Sequence, residues 1–138
     1  MIRELEEKDY DVIEENIKEE NIIFYKKPLE KHQNVFIYEK NTEKAAFIIY
    51  VAFEKDRAEI EYIYVFEKFR RQGIAQRLIE FCLEHITNLG CKSVTLEVRI
   101  KNDKAIKLYE KLGFKHSYIR HNYYKNGDDA SLMIREMG

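Results

Sequence analysis

The feature that most constrains the fold is a change of hydrophobic period between residues 58 and 90. Residues 58–66 alternate, which predicts a strand. One face of this strand carries Ala58, Ile60, Tyr62, Tyr64 and Phe66. The other face carries Glu59, Glu61, Ile63 and Val65. Apolar residues then recur at helical spacing up to Gly90, which fits the left-handed position that ends a helix. The predicted apolar stripe of that helix consists of Ile74, Leu78, Phe81, Cys82, Ile86 and Leu89.

The start of this helix is basic, although acidic residues are normally favoured there. Arg70 and Arg71 precede Gly73, and no acidic residue lies between Lys68 and Glu80. Unpaired N–H groups at a helix N-terminus bind phosphate, and a glycine lets such a ligand approach the backbone closely. The segment FRRQGIAQRL therefore predicts a phosphate site, with a solvated basic turn as the alternative on charge pattern alone. It matches neither the Walker loop nor the G-x-G-x-x-G motif.

Further elements are predicted on both sides of this strand and helix. Residues 2–5 predict a short strand, residues 7–20 a helix, and the segment after Pro28 a second short helix. The β-rich runs 34–40 and 44–54 flank a turn at Asn41-Thr42.

The second half of the chain adds a strand, a helix and a hairpin. In residues 92–100, Val94, Leu96 and Val98 are predicted on one face, and Thr95, Glu97 and Arg99 on the other. A further helix is predicted from an Asn102 cap to Gly113, followed by a hairpin that turns at Asn126-Gly127.

The composition limits the classes of function. The length of 138 residues fits one domain spanning residues 1–138. A net charge of −1 gives no field that would attract nucleic acid or an acidic membrane. No apolar run reaches the roughly 20 residues of a membrane span, and no signal peptide is visible, so we expect a cytoplasmic protein. Cys82 and Cys91 are predicted core residues, and the four histidines lack metal-ligand spacing, so no metal is expected.

Three segments carry a resemblance to a known family. Arg70-x-x-Gly73-x-Ala75 is similar to the [RQ]-x-x-G-x-[GA] acetyl-CoA signature of the GNAT N-acetyltransferases. Residues 94–114 resemble the second half of the GNAT core, with its N-x-x-A-I-x-L-Y-x-x-x-G-F run. Residues 118–133 resemble the terminal hairpin of bacterial enzymes that acetylate the N-terminal alanine of a ribosomal protein. The resemblance covers residues 57–136 well and the first 55 residues poorly.

The resemblance implies an α/β (α+β) GNAT fold that binds acetyl-CoA. Its twisted, mixed and mostly antiparallel sheet has about seven strands, flanked by helices and splayed between the fourth and fifth strands. The acetyl donor would lie in that gap. Main-chain groups of Ile63, Tyr64 and Val65 would contact the pantetheine. Asn102 would also bond the pantetheine arm, a role compatible with capping a helix. The pyrophosphate would be held by Arg70, Arg71, Gln72, Gly73, Ile74, Ala75 and Gln76.

Acetyl transfer to an amine requires a neutral amine, a stabilised oxyanion and a proton for the leaving thiolate. The resemblance implies that Glu97 is the base and Tyr109 the acid, with an N–H group near Val65 as the oxyanion donor. Glu61, or Glu59 after it, is the rival base. The alternatives are that Glu97 is a solvated strand carboxylate paired with Arg99 or Lys101, and that Tyr109 is a core tyrosine.

The acceptor is the part of the function on which the sequence says least. A protein N-terminal α-amine is the leading acceptor, and a small amine or a lysine side chain is the alternative. The resemblance implies that Tyr123 and Tyr124 line the acceptor slot, and ordinary packing on a terminal strand is the alternative. The ribosomal-protein enzymes carry a Pro-Trp element in their N-terminal third, whereas this chain has no Trp and only Pro28. A non-catalytic acyl-CoA-binding module remains an alternative, and a homodimer is one option for the assembly.

Overall fold

A single mixed sheet organises the computed structural model, which describes residues 1–18, 20, 22–27, 32–53 and 56–137. Within these residues, seven strands lie in the order β1-β2-β3-β4-β5-β7-β6. The strands are β1 (Ile2–Glu4), β2 (Gln33–Lys40), β3 (Glu43–Phe53), β4 (Arg57–Val65), β5 (Ser93–Arg99), β6 (Lys115–Arg120) and β7 (Ala130–Glu136). The α-helices are α1 (Tyr10–Ile17), α2 (Ile74–Asn88) and α3 (Asp103–Lys111). Short 3-10 turns precede α1 at Glu7–Asp9 and follow β4 at Glu67–Phe69.

The predicted splay of the sheet is confirmed between β4 and β5. Adjacent strands pair antiparallel except for β4 and β5, which are parallel and are joined through α2. Their pairing runs only from Arg57 opposite Ser93 to Ile60 opposite Leu96. Because β4 continues to Val65 and β5 to Arg99, the two strands separate beyond Ile60 and leave a cleft.

The separation coincides with a β-bulge at Glu61. In the β3–β4 register, Ile49 lies opposite Tyr62 while Tyr50 lies opposite Ile60, so Glu61 is the extra residue. A bulge bends its strand and interrupts the alternation of faces. The prediction of two uniform faces for residues 58–66 is therefore wrong. After the bulge, Ile63 packs in the same core as Ile60, and Tyr62 packs on the opposite side of the sheet.

The helices cover the two faces of the sheet. Helices α2 and α3 pack on the larger core with the predicted face of β5, namely Val94, Leu96 and Val98. Helix α1 lies within the predicted helix of residues 7–20 and packs on the smaller core through Ile13 and Ile17. None of the helices in the described residues is long and apolar enough to cross a membrane.

The apolar stripe of α2 is shifted from its predicted position. Phe81 and Leu89 remain 38% and 56% exposed, because they lie on the flank of the helix. The predicted stripe missed Ile79 and Leu83, which are buried. The buried residues of α2 are Ile74, Leu78, Ile79, Cys82, Leu83 and Ile86.

Other local predictions have mixed outcomes. Asn41 and Thr42 form the expected two-residue turn, with φ of +53° and +65°. Cys91 and Cys82 are buried, as predicted. The helix predicted after Pro28 falls mostly on residues outside the described part of the chain, and residues 22–25 have no regular structure.

A buried carboxylate anchors the N-terminal segment to the sheet. Asp9 is fully buried and accepts two hydrogen bonds from Arg3, at 2.9 and 3.1 Å, and one from the Glu6 N–H at 2.8 Å. The Lys44 Nζ lies 3.4 Å from its other oxygen. Burial alone would raise the pKa of Asp9, but these donors and cations hold it below the ordinary value.

We expect Asp9→Asn to lower the free energy of unfolding by about 3 kcal/mol at pH 7, because Arg3 loses its buried charge partner. A lowered carboxyl pKa stabilises the fold above the unfolded value and ceases to do so as the pH falls through the folded value. The difference between the proteins should therefore shrink below about pH 4. Urea unfolding curves measure both effects. Glu7→Gln, in the same turn and exposed, is the control. Equal stability of wild type and Asp9→Asn at pH 7 would contradict the prediction.

Candidate active site

The cleft exposes main-chain groups of β4. The Phe66 N–H donates to the Ala45 carbonyl of β3 at 2.9 Å. Hydrogen-bonded pairs alternate in an antiparallel ladder, so Tyr64 also turns toward β3, while Ile63 and Val65 turn away from it. Beyond Ile60 the other neighbour, β5, has separated. The polar main-chain groups of Ile63 and Val65 therefore point into the cleft, and those of Tyr64 do not.

One side of the cleft is a cavity of about 530 Å³ between β4 and the first turns of α2 and α3, here called the α2 cavity. Of the residues predicted to bind the donor, only Gln72 does not line it. The Gln72 side chain instead accepts a hydrogen bond from Lys40. Lys104, which no motif singled out, adds a cation at the rim. The predicted residues that line the cavity are Ile63, Tyr64, Val65, Arg70, Arg71, Gly73, Ile74, Ala75, Gln76 and Asn102.

The start of α2 presents free N–H groups to this cavity. Arg71 and Gly73 both have left-handed backbones, with φ of +65° and +75°. Within the described residues, no N–H group from 71 to 76 donates a hydrogen bond to another residue. Successive N–H groups in such a conformation form an anion-binding concavity. A non-glycine residue in the left-handed region is strained, and such strain is common at functional sites.

The two arginines of the motif have different environments. The Arg70 Nε donates to the Val65 carbonyl at 2.8 Å, and its guanidinium lies over the Tyr64 ring. Arg70 therefore shapes the loop more than it offers a free charge. The Arg71 side chain is exposed and has no ion-pair partner in the described part of the chain. Arg71 is thus the cation that remains available at the helix start.

Asn102 performs the capping role that its position predicted. Its Oδ1 accepts a hydrogen bond from the Ala105 N–H at 3.1 Å, at the first turn of α3. This cap fixes the start of α3, on which Tyr109 lies seven residues later. Asn102 also lines the α2 cavity, so capping and ligand contact are compatible.

The other side of the cleft holds two smaller cavities, of about 120 and 40 Å³, here together called the acidic slot. Both are lined by Ile22 and Tyr124, and the smaller one also by the predicted Tyr123. The carboxylates that line the slot are Glu20, Glu59, Glu61 and Glu97.

Tyr109 stands where the α2 cavity meets the acidic slot. It lines both, together with Ile63 and Asn102. The side chain is only 7% exposed and packs against Phe114, so it is also the core tyrosine of the alternative interpretation. Its hydroxyl has no hydrogen-bond partner in the described residues, and burial raises the pKa of Tyr109 to about 12. A neutral phenol with a free hydroxyl therefore faces the junction of the cavities.

Glu97 lines both parts of the acidic slot, and its side chain is 8% exposed. The alternative that it pairs with Arg99 or Lys101 is wrong. Arg99 binds Glu20 at 2.7 Å and Asp128 at 3.2 Å, and Lys101 binds the same Asp128. The nearest cation to Glu97 is instead Arg120, whose Nε lies 3.2 Å from its Oε2.

The bulge moves Ile63 and Val65 to the face of Ile60, so Glu61 no longer shares a face with them, and it lines the slot with Glu59. Burial, and then the charges of Glu97 and Glu61, raise the pKa of Glu59 to about 7. Burial also raises the pKa of Glu61, although a hydrogen bond from Gln33 opposes this. The slot therefore holds a carboxyl group that titrates near neutral pH.

Sequence reasoning missed two residues that organise the slot. Gln33 is buried and donates to Glu61 and to the Ile23 carbonyl, both at 2.8 Å, while its Oε1 accepts from the Tyr25 N–H. It therefore ties the segment that precedes β2 to the bulge. Arg120 reaches Glu97 from β6, two strands away in the sheet. Neither residue has a signal in the sequence, because only the tertiary fold brings these positions together.

The fold and the cleft agree with the family to which the sequence is similar. Residues 1–114 match the Acetyltransferase (GNAT) family, and the chain belongs to this family. It is 43% identical over 76 residues to an N-alpha-acetyltransferase of Saccharolobus solfataricus, covering 54% of this chain and 46% of that one. It is 40% identical over 81 residues to the [Ribosomal protein bS18]-alanine N-acetyltransferase of Escherichia coli, covering 56% and 55%.

The structural comparison extends this similarity to the whole chain. The crystal structure of the ribosomal-protein-S18-alanine N-acetyltransferase from Escherichia coli superimposes with a TM-score of 0.83 and 29% identity. That match covers 100% of this chain and 94% of the other. In sequence, by contrast, the aligned region spans about half the length of the curated relatives. The N-terminal third of the chain contributes Glu20 and Ile22 to the acidic slot.

We expect Gly73→Ala to weaken the binding of coenzyme A at least about tenfold, because a methyl group would project beside the free N–H groups. An added Cβ would meet no protein atom nearer than Arg77 Nη2 at 4.0 Å, so the ligand would bear the clash. Calorimetric titration measures the dissociation constant.

Gly90→Ala is the matched control at the other end of α2. Its φ is +90° and no atom lies within 4 Å of an added Cβ, so both variants carry the same kind of backbone strain, about 1 kcal/mol. Gly90 does not line the α2 cavity. Equal affinities for the two variants would argue against binding of the pyrophosphate at Gly73.

Proposed function

We propose that this protein transfers the acetyl group of acetyl-CoA to a primary amine, in the first place a protein N-terminal α-amine, and that residues 1–138 act as one catalytic domain. The observation that carries the proposal is the free hydroxyl of buried Tyr109 at the junction of the α2 cavity and the acidic slot. The names of the relatives support an α-amine as acceptor. A small amine or a lysine side chain is the alternative acceptor.

The α2 cavity fits acetyl-CoA. The free N–H groups of residues 71–76 and the Arg71 guanidinium suit a pyrophosphate. The polar main-chain groups of Ile63 suit an amide of a pantetheine arm that runs along β4, where β5 no longer pairs, and the Val65 N–H, whose own carbonyl already accepts from Arg70, lies further along the same edge. The thioester would then lie near Tyr109, at the inner end of the cavity.

Starting from a protonated amine, the reaction removes two protons from the nitrogen and supplies one to the leaving thiolate. The α-amine has a pKa of about 8, so it is mostly protonated at pH 7 and Glu97 takes its proton. The amine nitrogen attacks the thioester carbon, and the Val65 N–H, which points into the cleft, stabilises the oxyanion. The carbon–sulfur bond then breaks, Tyr109 donates its proton to the departing thiolate, and the nitrogen, which still carries one proton more than an amide, gives that proton back to the Tyr109 phenolate. The raised pKa of Tyr109 keeps its hydroxyl protonated at neutral pH, which suits a proton donor.

Glu97 is favoured as the base over Glu61 and Glu59 for a geometric reason. Glu97 lies on β5 and lines both cavities of the slot. Glu61 already accepts a hydrogen bond from Gln33, and Glu59 lines only the smaller cavity. The protonated form of Glu59 hydrogen-bonds to Glu97, so Glu59 controls how free Glu97 is to accept a proton.

Release of free thiol from acetyl-CoA, followed in single turnovers with a panel of N-terminal peptides and small amines, tests the proposed function. Acceptor-dependent release supports it, and the preferred acceptor identifies the class of amine. Binding of coenzyme A without release for any acceptor would replace it with a non-catalytic acyl-CoA-binding module.

Tyr109→Phe should lower kcat about a hundredfold, because the thiolate loses its proton donor, while the affinity for coenzyme A stays near wild type. Tyr50→Phe is the control, since the Tyr50 hydroxyl is also buried without a hydrogen bond but lies away from both cavities. An unchanged kcat for Tyr109→Phe would remove Tyr109 from the role of acid.

The pH dependence distinguishes the roles of Glu59 and Glu97. We expect kcat/KM of the wild type to fall below about pH 7, where Glu59 takes up a proton and donates a hydrogen bond to Glu97. Glu59→Ala should retain activity and lose this step, whereas Glu97→Gln should lower kcat about a hundredfold at every pH. The opposite pattern, with activity lost in Glu59→Ala and kept in Glu97→Gln, would make Glu59 the base.

A further inference from the structure

The acidic slot carries more negative than positive charge. Of its four carboxylates, Glu20 is paired with Arg99 at 2.7 Å, and Glu97 lies 3.2 Å from Arg120. Glu59 and Glu61 have no ion pair with a cation in the described part of the chain. The slot therefore contains two carboxylates whose charge no neighbouring side chain directly neutralises.

These two carboxylates are also partly removed from water. Glu59 and Glu61 lie on either side of Ile60 at the bulge, and Ile22 and Tyr124 complete the wall beside them. The one hydrogen bond to Glu61 comes from a neutral amide, Gln33 Nε2, at 2.8 Å. Half-buried carboxylates without a cation are electrostatically unfavourable, and a ligand cation would relieve this.

A second observation points to a hydrogen-bond donor in the same slot. The Glu97 Oε2 is buried and, despite its distance of 3.2 Å from Arg120 Nε, makes no hydrogen bond. Glu97 and the free hydroxyl of Tyr109 both line the part of the slot nearest the α2 cavity. A reactive amine would occupy that position, while Glu59 lies beside it in the smaller cavity.

We propose that the acceptor carries a second positive charge close to its reactive amine, and that Glu59 and Glu61 bind this charge. The inference rests on the proposed acetyltransferase function and names its substrate class. Two sources supply this chemistry: a peptide with a basic side chain at its first or second residue, and a small diamine. The reactive amine is held by Glu97, and the second cation by the two carboxylates at the bulge.

The groups around Glu59 and Glu61 leave room for such a cation. Arg120 lies 3.2 Å from Glu97 and donates a hydrogen bond to the Tyr118 hydroxyl at 3.1 Å, and its charge acts on Glu59 without forming an ion pair with it. Arg99 is engaged by Glu20 and Asp128. The remaining neighbours, Gln33 and Tyr123, are uncharged at neutral pH, and burial followed by Glu97 and Glu59 raises the pKa of Tyr123 to about 12.

The test compares acceptors that differ only in the second charge. One arm uses peptides with Lys or norleucine at the first or second residue, and the other uses 1,4-diaminobutane against 1-aminobutane. We expect kcat/KM to be at least about tenfold higher for the charged member of the preferred pair. The arm that shows this ratio identifies the source of the cation, and added salt should reduce the ratio.

Variants at the bulge test whether Glu59 and Glu61 cause the preference for the charged acceptor. Glu61→Gln still accepts the hydrogen bond from Gln33 but loses its charge, so the ratio should fall to about a third or less, as it should in Glu59→Ala. A merely weakened base would lower kcat/KM for both members equally and leave the ratio unchanged. Glu110→Gln, on the exposed face of α3, is the control and should keep the ratio.

The outcomes separate this inference from the proposed function. Thiol release with equal kcat/KM for charged and neutral acceptors would overturn the inference and leave the acetyltransferase function intact. A preference that survives in both Glu61→Gln and Glu59→Ala would overturn the assignment to the bulge. No release with any acceptor would overturn the proposed function itself.

Discussion

The structure of the site depends on one extra residue in a strand. Glu61 is the bulge residue of β4, and the parallel pairing with β5 ends directly before it, at Ile60 opposite Leu96. Because the bulge bends β4, its last residues lose their neighbour on one side and keep β3 on the other. The main-chain groups of Ile63 and Val65 are thereby left pointing into a cleft instead of into a ladder. The same residue lines the acidic slot together with Glu59, so it belongs to both sides of the site.

The α2 cavity and the acidic slot meet at Tyr109, and a different structural feature positions the residues on each side. On one side, the left-handed backbone at Arg71 and Gly73 directs a row of free N–H groups at the α2 cavity. On the other, the Asn102 cap begins α3 close to the end of β5, and two turns of that helix carry the Tyr109 hydroxyl to the junction. The proposed donor site and the proposed acid, Tyr109, are thus positioned by helix starts, whose geometry is set locally, while the acidic slot is assembled from distant parts of the chain.

The features that are set locally could be predicted from the sequence, and those assembled from distant parts of the chain could not. The motif around Gly73, the Asn102 cap and the period of β5 are local patterns, and each survives in the structure. The bulge at Glu61 has no such signal, because the sequence of residues 58–66 alternates without interruption although the strand contains an extra residue. The pairing of Arg120 with Glu97 depends on β7 lying between β5 and β6. No local pattern in the sequence predicts this order of strands. The acceptor side is therefore where the sequence and the structure differ most.

In the proposed reaction, the charge of the acidic slot would connect recognition of the acceptor to activation of Glu97 as the base. Protonated Glu59 hydrogen-bonds to Glu97, and burial followed by the charges of Glu97 and Glu61 raises the pKa of Glu59 to about 7. A cation bound beside Glu59 favours its ionised form, so binding of that cation displaces the proton and releases Glu97 from the hydrogen bond. A neutral acceptor gives no such release, so below about pH 7 it meets a slot in which Glu97 is still engaged. Selection for a doubly charged acceptor and availability of the base are then the same electrostatic event, because both depend on whether Glu59 carries a proton.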